Sequence, residues 1–242
     1  MTLPHPEQGP LALVGSGEYL PVMQDVEAML LLGRAPRYVQ LATAAAPEGD
    51  PSLARWHALG LAQAERLDVQ QVVLDVRSRA DADDPSLAAL IAGAGLVYLS
   101  GGSPQFLAET LRGTAVWAAI ETAWRSGAAL AGCSAGAMAM TGWVPAMRDL
   151  GRHPDPGLGL LPHLRVIPHF DRMLGWVPDI VTRAMLRAPE GVTVLGIDED
   201  TALVGGPEEW VVRGRQSVWV LGDGPRTEHV AGTALVTPLS SP

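Results

Sequence analysis

Cysteine is nearly absent from this chain: Cys133 is the only one among 242 residues. That excludes an intrachain disulfide framework and is compatible with a reducing cytoplasm. Basic charge is also in short supply, with 17 Lys plus Arg against 26 Asp plus Glu and a formal net charge of −9. The arginines are scattered, so the charge pattern argues against nucleic acid as a partner. No apolar stretch reaches membrane-spanning length, and no membrane partner is expected. The first ten residues are polar and proline-rich, without the basic-then-apolar pattern of a signal peptide. The expectation is a cytoplasmic protein with a flexible tail over residues 1–10 and one domain over 11–242, long enough to bury a substantial core. Internal repeats, low-complexity tracts and a convincing interdomain linker are lacking as well.

What is present is an alternation of strands and helices. Leu11-Ala-Leu-Val14 reads as a buried strand entering the turn Gly15-Ser-Gly-Glu18, and Val22 to Leu32 carries apolar residues at helical spacing. Arg37 to Ala42 and Val69 to Val76 read as strands around a helix at Pro51 to Arg66. Asp84-Pro85 supplies an N-cap and a proline at the first position of a helix through about Ala92. Leu96-Val-Tyr-Leu99 is a further strand, ending in Ser100-Gly101-Gly102-Ser103-Pro104; Gln105 to Arg112 and Ala115 to Arg125 follow as helices. This pattern implies an α/β fold in three layers, a mainly parallel central sheet with helices on both faces, and ligands gathering at the carboxyl ends of the strands. The pattern is lost from Thr141 to Pro162, a loop long enough to be functional. It resumes with strands at Leu164 to Pro168 and Thr193 to Ile197 around a helix at Pro178 to Arg187. Ala202 to Val204, Trp210 to Val212, Ser217 to Leu221 and Ala234 to Val236 are short and turn-separated, predicting antiparallel hairpins at a sheet edge toward the C-terminus.

The apolar run Ala128 to Ala131 breaks into Gly132-Cys133-Ser134-Ala135-Gly136 and resumes as helix-forming residues. A side chain at the tip of a sharp strand-to-helix turn has strained dihedrals, and the positions two away must be glycine or nearly so. Ser134 fits the tip. A glycine-rich turn with a capping serine would look the same from the motif alone. The small neighbours Ala131, Ala135 and Ala137 and a second glycine turn one βα unit upstream favour a nucleophile elbow. Register argues against Cys133, because Ala135 stands two beyond it; it reads as a small buried residue beside the site.

A serine hydroxyl needs a base within hydrogen-bond reach and an acid to orient that base. Of six histidines, His5 lies in the tail, His57 on a predicted helix, and His153 and His163 in the Gly/Pro-rich loop. His169, at the end of Val166-Ile-Pro-His-Phe170, falls on the strand-end rim; His229, near the C-terminus, is the competitor. For the acid, Asp198, Glu199 and Asp200 end a predicted strand, and three consecutive carboxylates cannot all be buried at tolerable cost; the residues alone do not choose among them. The histidines lack the fixed helical spacing of common zinc sites, so neither metal nor other cofactor is expected.

Ser100-Gly-Gly-Ser-Pro-Gln105, Gly132-Cys-Ser-Ala-Gly-Ala137, Pro168-His-Phe170 and Gly196-Ile-Asp-Glu-Asp-Thr-Ala202 together resemble the dipeptidase E and cyanophycinase family of serine peptidases, in that family's order and approximate spacing. The resemblance covers most of the chain and implies a fold similar to class I glutamine amidotransferases. It further implies Ser134 as nucleophile, His169 as general base and Glu199 as orienting acid, with an oxyanion hole from the N–H groups of Gly102 and Ala135. Gly15 to Glu18 is similar to the family's opening loop. Asp149 is a rival acid, since the dipeptidase E branch has an aspartate at a comparable place. Ser103, Gln105, Arg172 and Arg183 are candidate substrate contacts, the arginines as bidentate partners of a carboxylate.

The departures bear on substrate. Cyanophycinases commonly carry Asp-Gln before the His-Phe pair, where this chain has Ile167-Pro168, and an arginine-rich segment after it, where this chain has Asp171-Arg172-Met173. The Gly-Glu-Thr segment of aspartyl dipeptidases is absent near Gly175-Trp176. The expected partner is therefore a short peptide of unspecified side chain, cleaved by exopeptidase or dipeptidase action, with a homodimer allowed. Two alternatives stand beside this: an α/β-hydrolase-type esterase using Ser134, His229 and Asp179 or Asp198, and a non-catalytic amidotransferase-like binding protein.

Overall fold

The computed structural model describes residues 8–145, 155–172, 188–221 and 225–239. Its elements in chain order are β1 (Leu11–Val14), α1 (Gln24–Leu31), β2 (Arg37–Leu41), α2 (Asp50–Arg66), β3 (Gln70–Val73), α3 (Arg79–Ala82), α4 (Pro85–Ala89), β4 (Leu96–Leu99), α5 (Pro104–Leu111), α6 (Ala115–Arg125), β5 (Ala129–Cys133) and α7 (Ala135–Ala139). Then come β6 (Trp143–Val144), β7 (Asp155–Pro156), β8 (Leu164–Ile167), β9 (Thr193–Ile197), β10 (Thr201–Gly205), β11 (Glu209–Gly214), β12 (Ser217–Leu221), β13 (Thr227–Val230) and β14 (Ala234–Val236). Short 3-10 turns occupy Pro21–Met23 and Thr43–Glu48.

The main sheet runs β14-β11-β10-β1-β5-β4-β2-β3. Its five strands from β1 to β3 are parallel and β10, β11 and β14 antiparallel, as the alternation of elements and the late hairpins predict. Both faces are covered. Leu11 and Leu13 point into one cluster with Leu107, Leu111 and Ile120 of α5 and α6, whereas Ala12 and Val14 point into another with Val26, Leu30 and Leu31 of α1. The period of two along a strand thus builds two cores and three layers.

Register decides where the site falls. Val14 pairs with Cys133, and Leu99 with Gly132, so β1, β4 and β5 end side by side. Their following turns, at Gly15, Ser100 and Ser134, share one rim.

Several boundaries shift. Gly9 is buried, its N–H donating to Trp124 O at 2.9 Å and its carbonyl accepting Trp124 Nε1 at 2.8 Å, so packing starts before Leu11. Asp84 caps α4 as expected, but the helix ends at Ala89, where Leu90, Ile91 and Ala92 turn to tighter i→i−3 bonds. The expected helix at 178–187 lies outside the described residues. The larger correction concerns the C-terminal hairpins. β12 and the unforeseen β13 leave the main sheet and join β9 and β8 in a second, four-stranded sheet ordered β13-β12-β9-β8. Alternation in short strands reveals pairing tendency but not which sheet a strand joins. Among the described residues no helix is long and apolar enough to cross a membrane.

Candidate active site

Ser134 sits between β5 and α7 with φ 48° and ψ −104°, a backbone conformation that an L residue adopts only under constraint. The constraint is visible on both sides. A Cβ on Gly132 would lie 2.5 Å from the Gly136 carbonyl carbon, and one on Gly136 would lie 2.3 Å from the Leu99 carbonyl oxygen. Ser134 N–H donates to Val14 O at 2.9 Å and Ser134 O accepts from Met138 N–H at 3.0 Å. These bonds occupy the backbone of Ser134 and leave its hydroxyl at the tip.

The turn after β4 lies against the elbow. A Cβ on Gly101 would be 3.7 Å from Ser134 Cβ, and Gly102, at φ 134°, packs so close to Ala44 that a Cβ there would fall 2.4 Å from its carbonyl. Among the described residues the N–H groups of Gly102 and Ala135 have no acceptor. Ser103 Oγ caps α5 through Phe106 N–H at 3.3 Å, and Gln105 Nε2 donates to the Pro145 carbonyl. Both candidate substrate contacts thus have a structural partner.

His169 and Glu199 come from the second sheet. β8 and β9 run parallel with Ile167 opposite Gly196, so residues two or three beyond each strand leave the same edge together. Phe170 packs its ring on Gly196, where a Cβ would meet it at 2.5 Å; this ties the His-Phe pair to the glycine that opens the acidic motif. His169, at φ 51°, places Nε2 3.2 Å from Ser134 Oγ and Nδ1 3.1 Å from Glu199 Oε1. The turn 198–200 leads from β9 into β10 beside β1, which carries Glu199 from the second sheet to the main one.

The three carboxylates have separate fates. Asp198 is buried beneath the turn, accepting from Ser217 N–H at 3.2 Å and Trp219 Nε1 at 3.1 Å, and desolvation holds its carboxyl above the usual range. Asp200 pairs loosely with Arg215 at 3.7 Å. Only Glu199 reaches the histidine. Asp171 Oδ1 accepts the Glu199 N–H at 2.9 Å, Gln216 Nε2 donates to the Glu199 carbonyl at 2.9 Å, and Arg172 Nε donates to Glu199 Oε2 at 3.1 Å. Asp171 and Gln216 escaped the sequence reading; position two beyond His169 was the available signal for the first, and nothing marked the second.

Asp149, Arg183, His153 and Asp179 lie outside the described residues. His229 stands on β13 opposite Val218, and His163 is buried against the Pro207 carbonyl at 3.0 Å. Cys133 is fully buried, with Sγ–H donating to Glu18 Oε2 at 2.7 Å, and desolvation foremost, then the Glu18 charge, raises its thiol pKa. It is the buried neighbour expected, held by a polar contact not foreseen.

A parallel α/β sheet carrying a serine at a strained strand-end turn, within hydrogen-bond reach of a histidine that in turn meets a carboxylate, has the layout of a serine hydrolase. The comparisons narrow this class. The model of peptidase family S51 matches residues 14–210, and the chain belongs to that family of serine peptidases. Cyanophycinases of Trichormus variabilis and of a Nostoc species are 31% identical to it over 170 residues, covering 65% of this chain and 55% of theirs. The chain therefore spans about half the length of the curated relatives it matches. A crystal structure of a peptidase from an acI-B1 Actinobacterium superposes with TM-score 0.90 at 39% identity, covering 96% of this chain and 98% of that one. A putative peptidase E protein from Listeria monocytogenes EGD-e, 17% identical, superposes with TM-score 0.61 over 86% of this chain and all of its own, and shares the fold. Membership in this family replaces the α/β-hydrolase alternative.

Proposed function

We propose that this chain hydrolyses peptide bonds of short peptides through an acyl-enzyme on Ser134. Ser134 Oγ attacks the scissile carbonyl carbon while His169 Nε2 takes the hydroxyl proton, and Glu199 holds the imidazole in the right tautomer through Nδ1–H. The carbonyl oxygen gains negative charge in the tetrahedral intermediate and is met by the N–H groups of Gly102 and Ala135. His169 then returns the proton to the leaving amine, the C–N bond breaks, and water repeats the sequence on the ester. The observation that carries this reading is the chain of contacts Ser134–His169–Glu199 at 3.2 and 3.1 Å, beside two N–H groups that have no acceptor among the described residues.

The substrate reading rests on Arg172. Its Nε donates to Glu199 Oε2 at 3.1 Å, and its side chain, 69% exposed, puts a guanidinium at the same rim. A free carboxylate of a short peptide is the natural ligand for it, with Arg183, Ser103 and Gln105 as further candidates. Asp149 remains the rival to Glu199 as acid. A library of short peptides with free and blocked termini tests the proposal. Turnover by the wild type that vanishes in Ser134→Ala, and falls when one terminus is blocked, is expected; turnover retained in Ser134→Ala overturns it.

A further inference from the structure

The mechanism makes no use of Glu18, whose carboxylate is buried beneath the site at 6% exposure. Its Oε1 accepts the Gly101 N–H at 3.0 Å and its Oε2 accepts the Cys133 thiol proton at 2.7 Å. Glu18 lies on the loop after β1, Cys133 ends β5, and Gly101 lies in the turn after β4. Because β5 lies between β1 and β4 in the sheet, one carboxylate bridges all three strand ends that form the rim. Gly101 makes the bridge possible, since a Cβ there would stand 2.9 Å from Glu18 Oε1. The next residue repeats the grip: Tyr19 Oη and Ser100 Oγ are hydrogen-bonded at 2.7 Å. Consecutive residues of the opening loop thus hold consecutive residues of the glycine turn.

A carboxylate is suited to this place. It offers acceptors only, and its two partners, an amide N–H and a thiol S–H, are both donors. The two contacts tie one buried side chain to both neighbouring strand ends, and removing it would leave the Gly101 N–H without this acceptor.

We propose that Glu18 is a positioning residue for peptide hydrolysis: it fixes the Gly101–Gly102 peptide relative to the residue preceding Ser134, and so sets the distance between the oxyanion-binding N–H of Gly102 and the serine. This rests on the reading of Ser134 as nucleophile and Gly102 as oxyanion donor. Glu18 exchanges no proton with substrate, and its effect falls on the transition state, where the oxyanion forms.

The test compares Glu18→Ala, Glu18→Gln and Cys133→Ala in the full chain, by steady-state kinetics and by the rate at which a fluorophosphonate labels Ser134. Glu18→Ala should lower kcat by ~10²-fold, the range for disturbing one oxyanion donor, with KM changed by less than about twofold. Labelling should slow in parallel. Glu18→Gln keeps an acceptor for Gly101 N–H but loses the bond from the thiol, and should stay about tenfold below wild type. Adding Cys133→Ala to Glu18→Ala should cost nothing more, because the two act through one bridge. Wild-type kcat and labelling rate in folded Glu18→Ala, or a loss confined to KM, overturns the proposal. Should Glu18→Ala fail to fold, Glu18→Gln decides: kcat reduced at unchanged melting temperature supports the bridge, and wild-type kcat overturns it. Peptide turnover in Ser134→Ala would instead refute the underlying nucleophile assignment, independently of Glu18.

Discussion

The two sides of the site are built by different means. On the side of Ser134, the proposed nucleophile, Val14, Leu99 and Cys133 at the strand ends are 0–1% exposed, and Ser134 is held by backbone contacts that admit only glycine at 132 and 136. On the His169 side, which we propose to supply the base, the His169 and Glu199 side chains are 40% and 28% exposed, and Glu199 is placed by donating its N–H to Asp171 and accepting from Arg172 and Gln216. Steric exclusion fixes a position within tenths of an ångström, whereas half-solvated hydrogen bonds set a preference worth about 0.5–1.5 kcal/mol each. Damage to the first side should therefore be all-or-none and damage to the second graded.

The largest expected effect is chemical. Ser134→Ala or His169→Ala should each lower kcat by on the order of 10⁶-fold, and the double variant by no more, since the members of such a unit act together. Glu199→Gln should cost ~10⁴-fold, less than either because the imidazole keeps its contact with Ser134 Oγ. Gly136→Ala sharpens the comparison on the other side: an added Cβ 2.3 Å from Leu99 O should destabilise the fold by about 3 kcal/mol or more, seen as a drop in melting temperature that no base-side variant matches.

A pH effect separates the buried half from the site itself. Burial foremost pushes the Glu27 carboxyl, which accepts from Tyr38 Oη and Tyr19 N–H, up to about 7. Between its ordinary value of 4.5 and 7 the folded protein binds the extra proton, so this contribution to stability is full below about 4.5 and lost as pH rises through 7. Across that window it amounts to roughly 3 kcal/mol. Denaturant midpoints measured from pH 4 to 8 should fall with pH in wild type, and fall less in Glu27→Gln. The smallest effect belongs to the periphery: Gln216→Ala, which leaves the Glu199 carbonyl with the Thr201 hydroxyl as its remaining donor, should lower kcat by about tenfold or less with the melting temperature nearly unchanged.

The same division explains what the sequence revealed. Backbone sterics write themselves into residue identity, so Gly132-x-Ser134-x-Gly136 and Gly101-Gly102 could be read as crowded turns before any coordinates. The continuous apolar runs of β1, β4 and β5 likewise marked the parallel core and the rim. Hydrogen-bonded placement leaves a weaker trace. Nothing in Asp198-Glu199-Asp200 says which carboxylate faces out, because that depends on β12 delivering Ser217 and Trp219 to Asp198; only the family resemblance selected Glu199. The second sheet was missed for the same reason, since β12 and β13 carry the same alternation whichever neighbour they choose. Glu18, the fourth residue after β1, looked like one more polar turn residue.

The most direct test of the central claim is to map the covalent adduct by mass spectrometry after a serine-directed fluorophosphonate reacts with the folded protein. The account predicts a single adduct on Ser134, formed far more slowly in His169→Ala. An adduct on Cys133, or an unmodified Ser134 in protein whose peptide hydrolysis the reagent has abolished, would contradict it.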